Sequence, residues 1–162
     1  MTENFYKSIY DFGKLVEEMT TGTEFSKLDR TMFELETGMF FMFLIGSSKI
    51  VTEEDAKLLN EYLSKNWTIE EYQNAVNTDI VYIPRYMEKM PLSFEMLVAF
   101  DQVAGKANEV NGSSNLSGRF IDLYRFIGND LVSTENKPHN EDKKNLAIYI
   151  KALEKYRIEH LM

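Results

Sequence analysis

Met39-Phe40-Phe41-Met42-Phe43-Leu44-Ile45 is the stretch that decides the fold, because no other part of the chain is apolar on nearly every side. It ends a longer segment whose apolar residues recur at helical spacing, namely Leu28, Met32, Leu35, Met39 and Met42. A helix that is apolar almost all round lies inside a protein. The segment is therefore predicted to be a central helix with the other helices packed around it.

A glycine corner and a second helix follow this segment. Gly46-Ser47-Ser48 ends the central helix, and Thr52 with Asp55 three residues later has the pattern of a capping box. The apolar positions of the second helix are Leu58, Leu59, Tyr62 and Leu63, which give it one buried face. Residues 28–64 are therefore predicted to form a helical hairpin.

The rest of the chain has the periodicity of amphipathic helices. They are predicted over residues 3–20, from Thr68, over 78–91 with a kink at Pro84, over 93–110 with Ser93 as cap, from Ser117 to 131, and after Asn140, which is predicted to cap the last helix. Thr68 and Glu71 form a second capping-box pattern, and Trp67 can pack onto Tyr72 as a hydrophobic staple. About seven helices and no convincing strand predict an all-α bundle, with residues 1–162 as a single domain.

The composition restricts the class of protein. The chain of 162 residues has no cysteine, which excludes disulfides, thiolate nucleophiles and cysteine-based metal sites. The first residues lack the pattern of a secretory signal, and the longest apolar run is about a third of a membrane span. We therefore expect a cytoplasmic protein.

The negative charge is concentrated in the first half of the chain. The net charge is −8, with 15 acidic and 7 basic residues in 1–81 and 11 of each in 82–162. Such a charge repels nucleic acids and anionic membranes, and it favours a basic protein partner or a cation. The alternative is that the acidity only keeps the protein dispersed.

One pattern occurs twice in the chain. Phe43-Leu44-Ile45-Gly46 followed by Glu54-Asp55, Lys57, Leu59 and Tyr62 matches Phe126-Ile127-Gly128 followed by Glu141-Asp142, Lys144, Leu146 and Tyr149. Two related helical hairpins packed about a pseudo-twofold axis would explain this repeat. Independent use of the same capping chemistry is the alternative.

A helix, a tight glycine corner and a Val/Ile-Ser/Thr-x-Glu entry to a second helix, occurring twice, resemble the TerB-like (tellurite-resistance) family. The resemblance lies in residues 45–54, Ile-Gly-Ser-Ser-Lys-Ile-Val-Thr-Glu-Glu, and more loosely in residues 127–133 with Glu141. It implies a helical stress or phage-defence domain that binds a divalent cation through acidic corner residues. Ser47-Ser48 and Asn129-Asp130 stand where that family typically has Asp-Gly.

The segment between the last two predicted helices, here called the second corner, gathers potential metal ligands. Asp130, Glu135, His139, Glu141 and Asp142 lie within thirteen residues, and oxygen donors with one imidazole suit Ca²⁺, Mg²⁺ or Mn²⁺. Asp130, Glu135, His139 and Glu141 are the predicted ligands. The spacing does not match an EF-hand, and a solvated capping loop is the alternative reading.

The chain has few features of an enzyme. It contains no Walker loop and no G-x-G-x-x-G, and both histidines come late in the sequence. The acids Glu53, Glu54 and Asp55 could act as an acid–base pair, but the first turn of a helix attracts carboxylates for electrostatic reasons. We therefore expect a non-catalytic protein without a cofactor.

A binding function is the remaining expectation. Acidic and aromatic residues share the first half, which suits capture of a basic protein by an inhibitor, immunity protein or adaptor. The predicted partner-binding residues are Glu53, Glu54, Asp55, Glu61, Trp67, Glu70 and Glu71. The alternatives are that the aromatic residues belong to the core and that a free helix face forms a homo-oligomer.

Overall fold

The helical bundle is visible in a computed structural model that describes residues 9–23, 25, 30–47, 49–79, 90–103 and 115–161. These residues form seven helices: α1 (Ile9–Thr20), α2 (Arg30–Gly46), α3 (Glu53–Leu63), α4 (Ile69–Asp79), α5 (Leu92–Val103), α6 (Leu116–Leu131) and α7 (Asn140–Leu161). No strand occurs among the described residues, so the all-α prediction is confirmed. The predicted kink at Pro84 lies outside them.

Helix α2 is the centre of the bundle and packs against each of the six other helices. The side chains of Phe40, Phe41 and Leu44 are fully buried. The central-helix prediction is confirmed, and the predicted apolar positions Phe40, Phe41 and Leu44 are buried, but the prediction is wrong for Leu35, which is 61% exposed. The buried stripe also includes Phe33 and Thr37, which the apolar spacing did not indicate.

Stacked aromatic rings join α2 to α6 and α7. The ring centroid of Phe40 lies 4.2 Å from that of Tyr149 on α7 and 5.2 Å from that of Tyr124 on α6. The Tyr124 hydroxyl donates to Thr37 Oγ1 at 3.1 Å, and burial raises the pKa of this tyrosine far above its usual range. Because Thr37 gives the buried hydroxyl a partner, a tyrosine can lie inside the apolar core.

The helix caps agree with the sequence in part. Both predicted capping boxes are present, Thr52 with Asp55 and Thr68 with Glu71. The prediction that Ser93 caps α5 is wrong, since its buried hydroxyl has no partner among the described residues. Instead, the Glu36 carboxylate of α2 accepts hydrogen bonds from the backbone amides at positions 92 and 93, at 2.6 and 3.1 Å.

The start of α6 is held by a buried acid of α5. Asn115 is the N-cap, one residue before the helix, so the start predicted at Ser117 is late. Asp101 accepts hydrogen bonds from the amide of Leu116 at 3.0 Å and from the amide and hydroxyl of Ser117 at 2.8 and 2.5 Å. Burial raises the pKa of Asp101, although these bonds and the charge of Arg157 partly oppose the effect.

None of the helices in the described part of the chain combines the length and the apolarity that crossing a membrane requires.

Candidate functional site

Helices α1, α3 and α4 carry most of the exposed acids, and α3 packs against both of the others. We call this surface the acidic face, and its exposed carboxylates are Asp11, Glu17, Glu18, Glu53, Glu54, Glu61, Glu70 and Glu71. Only Lys14, Lys57 and Lys65 carry positive charge on α1, α3 and the segment that leads to α4. Three neighbouring helices therefore present a surface of net negative charge.

Five acids of this face have no polar partner in the described part of the chain, namely Asp11, Glu18, Glu53, Glu61 and Glu70. The carboxylates of Glu53, Glu61 and Glu70 are exposed and form no hydrogen bond or ion pair there. By contrast, the carboxylate of Glu154 on α7 is paired with the guanidinium of Arg125. Acids that lack an internal partner can pair with an external cation without first breaking an existing bond.

Glu54 and Glu71 are exposed as well, but each also stabilises the fold. A carboxylate oxygen of Glu54 accepts a hydrogen bond from the backbone amide of Glu135 at 3.0 Å. A carboxylate oxygen of Glu71 accepts one from the amide of Thr68 at 3.2 Å, within the capping box of α4. Substitution of either acid would therefore change local structure together with surface charge.

Asp55 is a correction to the predicted partner-binding set, because it is fully buried. Its Oδ2 atom lies 2.8 Å from the ammonium of Lys137, and the side chains of both residues are shielded from solvent. The same carboxylate accepts bonds from the Thr134 hydroxyl at 3.0 Å and the Thr52 amide at 3.1 Å. Asp55 is thus a structural acid that no partner can contact in this fold.

Lys137 is the residue that sequence reasoning missed. Besides the bond to Asp55, its ammonium donates to the backbone carbonyls of Ile45 at 3.0 Å and Ile50 at 2.7 Å. A lysine in a polar loop carries no local signal of this role, since Asp55 is 82 positions away in the sequence. Lys137 thus joins the loop between α6 and α7 to the loop between α2 and α3.

Trp67 belongs to the corner between α3 and α4. Its ring lies 5.2 Å from that of Tyr72, and the ammonium of Lys65 lies over it at 4.3 Å. Asn60 exchanges two hydrogen bonds with the Trp67 backbone and accepts one from the Tyr72 hydroxyl at 2.6 Å. The predicted staple is confirmed, and these contacts explain why the ring is half-buried in the fold.

The predicted cation ligands of the second corner are engaged separately. Asp130 accepts a hydrogen bond from the hydroxyl of Tyr62, whose pKa is raised chiefly by burial and next by this carboxylate. His139 places Nδ1 at 2.7 Å from Asp142 and Nε2 against the carbonyl of Thr134.

The two remaining predicted ligands are exposed, Glu135 in the loop and Glu141 in the first turn of α7. Within the described residues, no three histidine, aspartate or glutamate side chains are grouped so that they could hold a metal ion. The structure therefore gives the predicted cation no assembled ligand set in this part of the chain.

The repeated pattern occupies equivalent positions at the two corners. The first backbone bonds of α3 and α7 run from Ala56 to Thr52, at 3.1 Å, and from Lys143 to His139, at 2.9 Å. Three residues after each cap comes a buried aspartate that bonds back to the cap residue, Asp55 in one corner and Asp142 in the other. Both readings of the repeat, related hairpins and independent use of the same capping chemistry, predict these contacts, so the relation between the hairpins stays a prediction.

Comparison with known proteins finds no family model, no curated protein and no solved structure that matches this chain. The TerB-like resemblance stays a prediction, and the function has to be argued from the surfaces of the molecule.

Proposed function

We propose that this chain is a non-catalytic binding protein that captures a basic protein partner on its acidic face, as an inhibitor, immunity protein or adaptor does. The observation that carries the proposal is that Glu53, Glu61 and Glu70 are exposed on adjacent helices without a polar partner in the described residues. Unpaired surface charges attract an oppositely charged partner over long distances and accelerate association. Such binding weakens as salt increases.

The interior of the protein favours binding over catalysis. Among the described residues, each buried aspartate is held by fixed partners: Asp55 by Lys137, Asp101 by Ser117 and Asp142 by His139. A catalytic acid or base needs access to a substrate proton, and these carboxylates are buried. Most of the described acids that solvent can reach lie instead on the surfaces of helices.

Capture from a lysate of the source cells tests the proposal. Immobilised protein should retain one basic protein at low ionic strength and release it as salt is raised. The triple variant Glu53→Lys/Glu61→Lys/Glu70→Lys should lose that protein, because each change replaces attraction by repulsion. The side chains of these three residues form no hydrogen bond in the described part of the chain, so the variant should keep the helical circular dichroism of the wild type.

A matched variant separates the location of the charge from the net charge. Glu135→Lys/Glu141→Lys/Glu159→Lys changes the net charge equally, at exposed positions in the second half of the chain. It should retain the captured protein. Equal loss of binding in both variants, or capture that salt does not weaken, would contradict a specific acidic face.

A further inference from the structure

A groove lies between α6 and α7, and none of the exposed carboxylates of the acidic face lines it. Its volume is about 640 Å³, and its apolar lining consists of Val132, Leu146, Ala147 and Ile150. Three of these residues are buried and form the floor, while Ala147 is exposed at the mouth. This volume is enough for a few apolar side chains of a ligand.

The mouth of the groove is positively charged in an otherwise acidic protein. Lys143 and Lys151 line it and are exposed, and their ammonium groups form no hydrogen bond or ion pair within the described part of the chain. They lie eight positions apart on one face of α7, which corresponds to about 12 Å. The third cation, Arg125, is already paired with Asp122 and Glu154.

We propose that this groove binds an acidic amphipathic helix of a partner protein. Apolar side chains of that helix would cover the floor between Lys143 and Lys151. Two carboxylates about two turns apart on the same face would pair with the two ammonium groups. The proposal concerns a different surface and the opposite charge from the acidic face, so it does not depend on the proposed function.

The architecture favours a helix over an extended peptide. A segment that binds by strand addition needs the free edge of a sheet for its backbone amides and carbonyls, and α6 and α7 provide none because they are helices. A helix satisfies its own backbone hydrogen bonds and presents only side chains. Nucleic acid is disfavoured, because the chain has a net charge of −8 and the groove floor is apolar.

Fluorescence anisotropy with a labelled synthetic helix tests the inference on the full chain. The probe carries glutamates about two turns apart with leucines between them on the same face, and a scrambled peptide of equal composition is its control. The wild type should bind the probe and not the scrambled peptide. Lys143→Glu/Lys151→Glu should weaken binding about tenfold or more, because two attractions become repulsions.

Matched variants identify the surface that binds. Lys144→Glu/Lys155→Glu makes the same charge change on α7 at exposed positions outside the groove lining, and it should bind the probe like the wild type. The variant Glu53→Lys/Glu61→Lys/Glu70→Lys should also bind the probe, which separates this inference from the proposed function. A substitution in the mouth, Ala147→Arg, should block the probe by filling the groove.

Five outcomes would overturn the inference. The first three are no binding by the wild type, equal binding of the scrambled peptide, and equal weakening by both lysine pairs. The fourth is full displacement of the probe by a long-chain fatty acid at equal concentration, which would assign the groove to a lipid. The fifth is concentration-dependent dimerisation that is abolished by Lys143→Glu/Lys151→Glu, which would assign it to a second copy of this chain.

Discussion

Replacing Lys137 by methionine should destabilise the protein strongly. The variant removes the ammonium that lies 2.8 Å from Asp55 Oδ2 and 3.0 and 2.7 Å from the carbonyls of Ile45 and Ile50. Methionine is of similar length, so the main change is loss of the charge and of the three hydrogen bonds. The buried carboxylate then keeps only its bonds to neutral donors, the Thr134 hydroxyl and the Thr52 amide.

The magnitude follows from the burial of both partners. Removing one member of a buried ion pair costs about 3–5 kcal/mol, because the remaining charge is left without compensation in a medium of low polarity. For a chain of this size, each kcal/mol corresponds to about 2–4 °C in Tm. We therefore expect the Tm of Lys137→Met to fall by about 10 °C, and urea unfolding to give a matching loss of free energy.

Two further variants serve as controls for this measurement. Lys144→Met removes an exposed lysine and should change stability by less than about 0.5 kcal/mol. The double variant Asp55→Asn/Lys137→Met removes the stranded charge and should recover part of the loss. The reasoning is refuted if Lys137→Met costs less than about 1 kcal/mol, or if the double variant is no more stable than Lys137→Met alone.

Two glycines in helices should respond oppositely to alanine. A Cβ atom on Gly128 would lie 2.5 Å from Leu146 Cδ1, so Gly128→Ala should cost about 1–3 kcal/mol of stability. At Gly38 the nearest atom to an added Cβ is 3.7 Å away, so Gly38→Ala should stabilise the protein by about 0.5–1 kcal/mol. Urea unfolding of both variants tests the contrast, and equal effects would contradict it. Because burial raises the pKa of Asp101 above 3.8, its contribution to stability should be greatest below that pH and should be lost as pH rises through the raised pKa. As pH rises through the raised pKa, the unfolding free energy of the wild type should therefore fall relative to that of Asp101→Asn, and a difference that does not change with pH would disprove the assignment.

The sequence was sufficient where the relevant partners are neighbours in the chain. Both capping boxes and the contact of Trp67 with Tyr72 join residues within five positions, and all three predictions are confirmed. The central position of α2 was also predictable, because its apolar content alone requires burial.

Long-range packing decided the features that the sequence left open or misassigned. Leu35 fits the apolar spacing of α2, yet Phe33 and Phe40 face the core because their rings pack against α6 and α7. Ser93 has the sequence of a cap, yet the carboxylate of Glu36 on another helix occupies that role. Neither outcome follows from local spacing, because the deciding atoms belong to distant segments.

The acids at the start of a helix are of two kinds, those that stabilise the fold and those that solvent or a partner can reach. In α3 and α7 the acid three positions after the cap, Asp55 or Asp142, is buried and bonds back to the cap. The acids that precede it, Glu53 and Glu54 in α3 and Glu141 in α7, are exposed. In α3 the carboxylate of Asp55 completes the capping box with Thr52, and in α7 that of Asp142 pairs with the imidazole of His139. Acids one or two positions earlier project to solvent, so in this fold Glu53 is accessible to a partner and Asp55 is not.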